Sequence, residues 1–369
     1  MRISGILRFV GDLVKVWDRR RAACLARLVC ALMHAGRLGV AAIGRCLPAE
    51  TTVKHRIKAV DRFLGNAKVD LPSLWVALLY LVLGSRRRLF VLLDWTDLDD
   101  EHEELVAAVS YGGRALPVAW RATRKGHYVR SRNAVESSLC VWLKSQLPPG
   151  VDLVIVADRG FGRASLLRRL RRSGIHFVIR IRRDVHLIDA RGSGPVANRT
   201  IRRGQTRDLV DADYGSDARV SVRCVITFGD GEGRNRPAGP WYLVTNLTPD
   251  ELSAAHIVAA YKLRMRIEHN FRDHKSLRFG FQLRSVRLTT PARYDRLFAI
   301  ATVALLLLVH IGATAEQRGL AKRFKANTDT ARTHSLFTLG LAWLHLLHLR
   351  ALGARLLARC LDVSLEGMG

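Results

Sequence analysis

The chain has 369 residues, with 60 Lys and Arg against 32 Asp and Glu, a formal net charge of +28. At 49% hydrophobic and 25% charged residues it is too apolar to be disordered, and it is long enough for two or three domains around a substantial core. Positive charge spread over the whole length selects a polyanionic partner, nucleic acid before an anionic membrane, with a ribosomal type of binding left open on charge alone.

The opening MRISGILRFVGDLVKV places Arg8 and Asp12 inside what would have to be the apolar centre of a signal peptide, so a cytoplasmic protein is expected. Residues 13–83 carry Leu, Val and Ala at helical spacing. Within them RLGVAAIGRCL (37–47) and TVKHRIKAVDRFLGN (52–66) are separated by PAET. Pro48 stops the first segment, and Thr51 or Thr52 can cap the second. The second segment carries Lys54, Arg56, Lys58 and Arg62, the outline of a helix-turn-helix with a basic helix for a DNA groove. A plain helical hairpin with a solvated basic face fits the same pattern.

From residue 88 the period changes. RLFVLLDWTD (88–97) reads as a buried strand, and ELVAAVSYGGRALPVAW (104–120) as two strands joined at Tyr111-Gly112-Gly113. A helix follows near 132–147, then the strand VDLVIVADRGFG (151–162) ending in Asp158. A short basic helix, ASLLRRLRRSG (164–174), is stopped by Gly174, and IHFVIRIR (175–182) alternates as a strand. This order predicts a mixed sheet of α/β class. Residues 184–250 break the rhythm with short β-like pieces, VSVRCVITF and PWYLVTNL, among Gly-, Asp- and Arg-rich turns, and read as a β-rich insertion. Helices resume over 251–275, about 291–315 and 334–360.

Residues 297–315, LFAIATVALLLLVHIGATA, contain no Asp, Glu, Lys or Arg. The length is borderline for a membrane span, and we read a helix at the centre of a large soluble core. The six cysteines, at 24, 30, 46, 140, 224 and 360, show no C-x-x-C spacing; free thiols of a reducing compartment are expected, and no zinc site. The domain expectation is therefore a helical DNA-binding region over 1–85 and a mixed-sheet core over 86–183 and 251–315. The insertion spans 184–250, and a helical C-terminal region spans 316–369.

Asp94 and Asp158 each close an apolar run, VLLD and VIVAD, which places a carboxylate at the C-terminal edge of the sheet, where α/β folds hold ligands. Asp97, Asp99, Asp100, Glu101, Glu103 and Glu104 follow Asp94 closely, and 99–104 reads as a solvated acidic turn. Asp97 competes with Asp94, but three residues on it points to the opposite face of a strand. On one continuous helix, Tyr261, Arg264, Glu268 and Lys275 fall within a sector of roughly 60°. They form a ridge beside an apolar stripe of Leu263, Ile267 and Phe271. Glu268 among basic residues is either an ion-paired surface group or a third carboxylate completing a site with Asp94 and Asp158. Three hard oxygen donors suit Mg²⁺ or Mn²⁺, and two such ions ~3.5–4 Å apart serve phosphodiester chemistry. His127, His269 and His274 are not expected as general bases, and His269 and His274 are expected at the surface or on phosphates.

The spacing Tyr261-x2-Arg264-x3-Glu268-x6-Lys275 matches without a gap the Y-(2)-R-(3)-E-(6)-K motif of the IS4 family of bacterial insertion-sequence transposases. DWTD (94–97) and ADRGF (157–161) resemble the family's segments around the first two acids of its DDE triad. The resemblance covers roughly residues 40–310 and implies an RNase H-like core with the β-rich insertion. It implies Asp94, Asp158 and Glu268 as catalytic acids holding Mg²⁺ or Mn²⁺, and Tyr261, Arg264 and Lys275 as DNA contacts near the cleaved phosphate. It also implies cut-and-paste excision through a DNA hairpin, strand transfer to target DNA, and a homodimer in the synaptic complex. Trp241 stands where the family keeps a tryptophan against which a base is flipped; anchoring the last insertion strand is its other reading. Trp95 and Trp120 are expected in the core. An RNase H-like nuclease or resolvase that cuts without transposing, and an inactive DNA-binding relic, remain as alternatives.

Overall fold

The computed structural model describes residues 3–128, 130–216, 219–228, 239–275, 280–324, 328 and 333–345. Five helices come first: α1 (Ile3–Leu13), α2 (Arg19–Ala35), α3 (Val40–Cys46), α4 (Val53–Gly65) and α5 (Leu71–Leu83). Their ends are set locally. The carboxylate of Asp18 accepts from the Arg21 amide at the start of α2, and Thr52, not Thr51, caps α4 by accepting from the His55 amide.

The strands then build one ten-stranded sheet. β1 (Arg88–Asp97), β2 (His102–Tyr111) and β3 (Arg114–Arg124) form an antiparallel meander. The β2–β3 link is Gly112-Gly113, both at positive φ, the two-residue turn whose twist matches a hairpin. α6 (Arg132–Gln146) crosses to β4 (Asp152–Ala157), and α7 (Ala164–Arg172) to β5 (His176–Arg180). Both crossovers end in parallel pairings, β1 with β4 and β4 with β5. Next come β6 (His186–Asp189), β7 (Gly192–Pro195), β8 (Thr206–Tyr214), β9 (Val220–Phe228) and β10 (Pro240–Thr245). These five continue the same sheet, because β10 pairs antiparallel with β5, giving the order β3-β2-β1-β4-β5-β10-β9-β8-β6-β7. The architecture is the expected mixed α/β one, consistent with an RNase H-like core carrying helices at both ends.

The predicted single helix over 251–275 is two: α8 (Ala254–Lys262) and α9 (Met265–Lys275). Around the break the amides of Leu263, Arg264, Arg266 and Ile267 reach back three residues instead of four. A three-residue period lines Tyr261, Arg264 and Ile267 along one buried face, which a straight α-helix would splay apart. The helix break thus follows from burying Arg264, and the four motif residues do not share one continuous α-helical ridge.

α10 (Pro291–Gln317) is the long apolar helix. Its length and composition would suit a membrane span, yet it lies largely buried against β3, α2, α4 and α11 (Leu336–His345). α10 and α11 cross at Gly312 and Gly340, where an added Cβ would stand 1.9 Å from the Leu336 carbonyl oxygen and 2.0 Å from that of Leu308. Of the helix expected over 334–360, residues 346–360 lie outside the described residues, as does Cys360. The other five cysteines are free thiols.

Candidate active site

Pairing register assembles the site. The last paired residues of the three parallel strands are Leu93 on β1, Ala157 on β4 and Ile179 on β5. The next residue on each strand is Asp94, Asp158 and Arg180, so two acids and a cation form a row across the C-terminal edge of the parallel ladder. Asp94 does not end its strand as the sequence suggested. β1 runs on to Asp97 by pairing with β2 alone. Asp158 leaves β4 and its Oδ1 accepts from the Gly160 amide at 2.8 Å. That bond starts a 3₁₀ turn over Arg159–Phe161. Arg163 pins the turn by donating to the Gly160 carbonyl at 2.7 Å and to Asn133 on α6 at 2.9 Å.

The break between α8 and α9 brings the motif residues over this row. Tyr261 is buried and meets Trp241 of β10 edge-on, ring centroids 5.0 Å apart. Arg264, only 8% exposed, lies between two acids. Its Nη1 is 3.4 Å from Asp94 Oδ2 and its Nη2 2.5 Å from Glu268 Oε1. Glu268 keeps 44% of its side chain exposed. Asp158, Arg159, Arg180, Tyr261, Arg264, Met265 and Glu268 line a cleft of about 390 Å³.

Electrostatics tie the acids together. Burial first, with Asp158 and Glu268, raises the Asp94 carboxyl to about 7 against the pull of Arg264 and the Trp95 amide. Burial opposes the charge on Arg264, but Tyr261, Glu268 and Asp94 together hold its guanidinium above the usual range. Among the described residues no group of three or more His, Cys, Asp or Glu is gathered closely enough to hold a metal ion. Arg264 takes the place between Asp94 and Glu268.

Lys275 does not line this cleft. Burial first, with Arg284 and Lys125, lowers its ammonium to about 8 against the opposing pull of Asp97 and Glu104. Asp97 is the exposed competitor and pairs with Lys125 at 3.0 Å. The stretch 99–104 is not a solvated turn. Asp100 and Glu101 are exposed, but Asp99, His102, Glu103 and Glu104 are buried at the start of β2. Asp99 accepts from the Glu101 and His102 amides and from the Tyr294 hydroxyl. Glu103 accepts from Tyr128 and Arg132.

His274 is also not at the surface. It is fully buried, its ring stacks on Phe298 at 4.8 Å, and burial lowers it to about 4. His269 is half-buried, and burial and Arg114 lower it; His127 is exposed. Trp120 is fully buried and donates to the Asp295 carbonyl, whereas Trp95 is half-buried against Glu136, with the Arg132 guanidinium 4.5 Å over its ring.

On α4, Lys54, Lys58 and Arg62 recur every four residues and are exposed as one stripe. Arg56 faces inward, donating to the carbonyls of Arg45 and Leu47 at the end of α3.

Arg159 and Arg180 were not singled out from sequence. The signals were present, in the Arg that follows Asp158 in ADRGF and the Arg that closes the alternating strand IHFVIR.

A mixed sheet whose parallel edge carries two acids, with a third carboxylate on an overlying helix and arginines lining the cleft, has the residue types that chemistry on phosphodiesters uses. Residues 140–307 match the family model described as a transposase DDE domain, a stretch that includes Asp158 and Glu268 and leaves Asp94 outside. This match supports a DDE transposase, an enzyme whose substrate is DNA. No curated protein is similar enough in sequence to match the chain.

Proposed function

We propose that the protein is a cut-and-paste transposase of the IS4 kind, which binds the terminal inverted repeats of its own element, cleaves them through a hairpin, and joins the freed end to target DNA. The observation that carries this reading is the register that puts Asp94 and Asp158 side by side, one residue past the last parallel pair. Glu268 is joined to Asp94 through Arg264.

Asp94, Asp158 and Glu268 are hard oxygen donors of the kind that Mg²⁺ or Mn²⁺ selects. The donor types suit a divalent ion, and as placed Arg264, not a gathered trio of carboxylates, fills the space between Asp94 and Glu268; a divalent cation would satisfy the repulsion at Asp94 that this guanidinium offsets. When bound, a pair of such ions would supply activation of a water or 3′-hydroxyl and stabilise the leaving oxygen. The chain's own residues supply the rest. Asp158, fixed by the Gly160 amide, lines the cleft. Arg159 and Arg180 give the cleft a cationic wall against phosphate oxygens. Tyr261, which lines the cleft, would meet a base drawn out of the duplex, with Trp241 buried edge-on behind it and anchoring β10. Lys275 serves phosphates further along α9.

The helical region 1–85 is the DNA-binding part in this reading, with Lys54, Lys58 and Arg62 tracking phosphates and Arg56 fastening α3 to α4. Residues 86–183 and 251–315 form the catalytic core, 184–250 the insertion and 316–369 the C-terminal region. Synapsis of two ends calls for a homodimer on DNA, working in the cytoplasm. The test is cleavage of DNA carrying the terminal repeats. Asp158→Asn and Glu268→Gln are each expected to abolish Mg²⁺-dependent cleavage while band-shift affinity stays within about threefold, since the phosphate contacts are untouched. Cleavage retained in either variant removes that acid from the site.

A further inference from the structure

We infer that Arg264 is a stand-in cation, a positioning residue that holds Asp94 and Glu268 together before a divalent ion binds and yields both carboxylates to that ion. The inference rests on the metal-site reading above and adds a competitor to it.

Three observations lead here. The first is placement. The two terminal nitrogens of Arg264 reach one acid from the sheet edge and one from α9, 170 residues apart in sequence in the first case and four in the second. The second is incomplete satisfaction. Arg264 Nε is buried and meets no acceptor among the described residues, and the Asp94 contact, at 3.4 Å, is longer than a well-made charged hydrogen bond. The guanidinium is placed by the acids but not locked. The third is its mounting. Arg264 sits in the short three-residue-period turn between α8 and α9, the one place in the motif where the backbone is not α-helical and a small change in dihedrals re-aims the side chain.

The consequence is linkage. Two cations cannot occupy the gap between Asp94 and Glu268 together, so whatever Arg264 contributes to holding the acids is subtracted from the affinity of the ion. Once displaced, the guanidinium remains at the mouth of the cleft, where it can take a phosphate oxygen by two hydrogen bonds.

The experiment is Mn²⁺ binding to the full chain, followed by electron paramagnetic resonance and by melting temperature in EDTA against Mn²⁺. Arg264→Gln is expected to bind Mn²⁺ about tenfold more tightly than the wild type, within the range of ordinary coupling between sites. It should melt lower in EDTA and gain more from Mn²⁺, because two carboxylates then face each other unopposed. Arg264→Lys keeps the charge but cannot span both acids, and should bind about threefold more tightly. Unchanged or weaker Mn²⁺ affinity in whichever of these variants folds overturns the inference. Asp158→Asn and Glu268→Gln separate it from the reading beneath it. If they leave Mn²⁺ binding intact, the metal site itself is wrong; if they abolish it while the Arg264 variants match the wild type, only the stand-in role fails.

Discussion

The two ends of one acidic stretch behave in opposite ways. At Asp94 the carboxylate lies buried behind the cleft that Asp158 and Glu268 line, these two acids raise it, and Arg264 offsets them. A few residues on, Asp99 and Glu103 are sealed and fully partnered: hydrogen bonds more than reverse the effect of burial on Asp99, so its carboxyl stays below the usual range. Glu104 is sealed and unpartnered, since neither carboxylate oxygen meets a donor among the described residues. Burial, aided by Asp295, holds it far above the usual range against the pull of Lys275. The lesson is that acidity alone marks nothing. A group whose charge is contested by burial, like charges and one cation is available for chemistry, whereas one saturated by fixed donors is structural, and one without donors is held neutral.

Breaking the partnered end should cost the most stability. Asp99→Ala strands the His102 ring and two amides and leaves the Tyr294 hydroxyl only the Val286 carbonyl as acceptor, and is expected to lose about 3 kcal/mol in urea unfolding. A loss below 1 kcal/mol would mean that water replaces the carboxylate and that the end is not sealed.

Next in size is a pH effect at Asp295, which lies beside Glu104. Burial lifts its carboxyl to about 7, opposed by the Ala122 amide, Arg121 and Arg296. Between about pH 4 and 7 the folded chain holds a proton that the unfolded chain has lost, so this group's contribution to stability falls as pH rises through that window. Asp295→Asn keeps the oxygen that accepts from Ala122 and should stabilise the chain by about 2–4 kcal/mol at pH 8, with the gain vanishing near pH 4. Equal gains at both pH values would show that the carboxyl titrates normally.

The smallest effects separate the basic residues of α4. Arg56→Ala should cost about 1 kcal/mol of stability by releasing the end of α3. Lys58→Ala should leave stability within about 0.5 kcal/mol while lowering the salt dependence of DNA binding by about one counterion. The same result from both would erase the distinction between a cap and a phosphate contact.

Much of this was legible in the chain. The apolar strand cores, the Gly112-Gly113 turn and the capped basic helix are decided by neighbours, and so is the strand edge that carries Asp158. What escaped depended on distant partners. The helix break at Leu263 exists because Arg264 is buried against Asp94, and no local period announces that. The burial of Asp99 depends on Tyr294, and that of His274 on Phe298, both on α10. The inward turn of Arg56 is set by carbonyls that become free only where α3 ends. The five strands after β5 read as a separate insertion because their pairing with the core runs through a single strand, β10.

The central claim is that Asp94, and not the acids sealed a few residues later, belongs to the reacting centre. One comparison tests it most directly: Mg²⁺-dependent cleavage of the element's ends by Asp94→Asn and by Glu104→Gln, measured side by side with their melting temperatures. We expect Asp94→Asn to remain folded and lose at least about a thousandfold in cleavage rate, and Glu104→Gln, which replaces a neutral acid by a neutral amide, to cut within about threefold of the wild type. Cleavage that survives Asp94→Asn, or that disappears in a well-folded Glu104→Gln, would contradict the account.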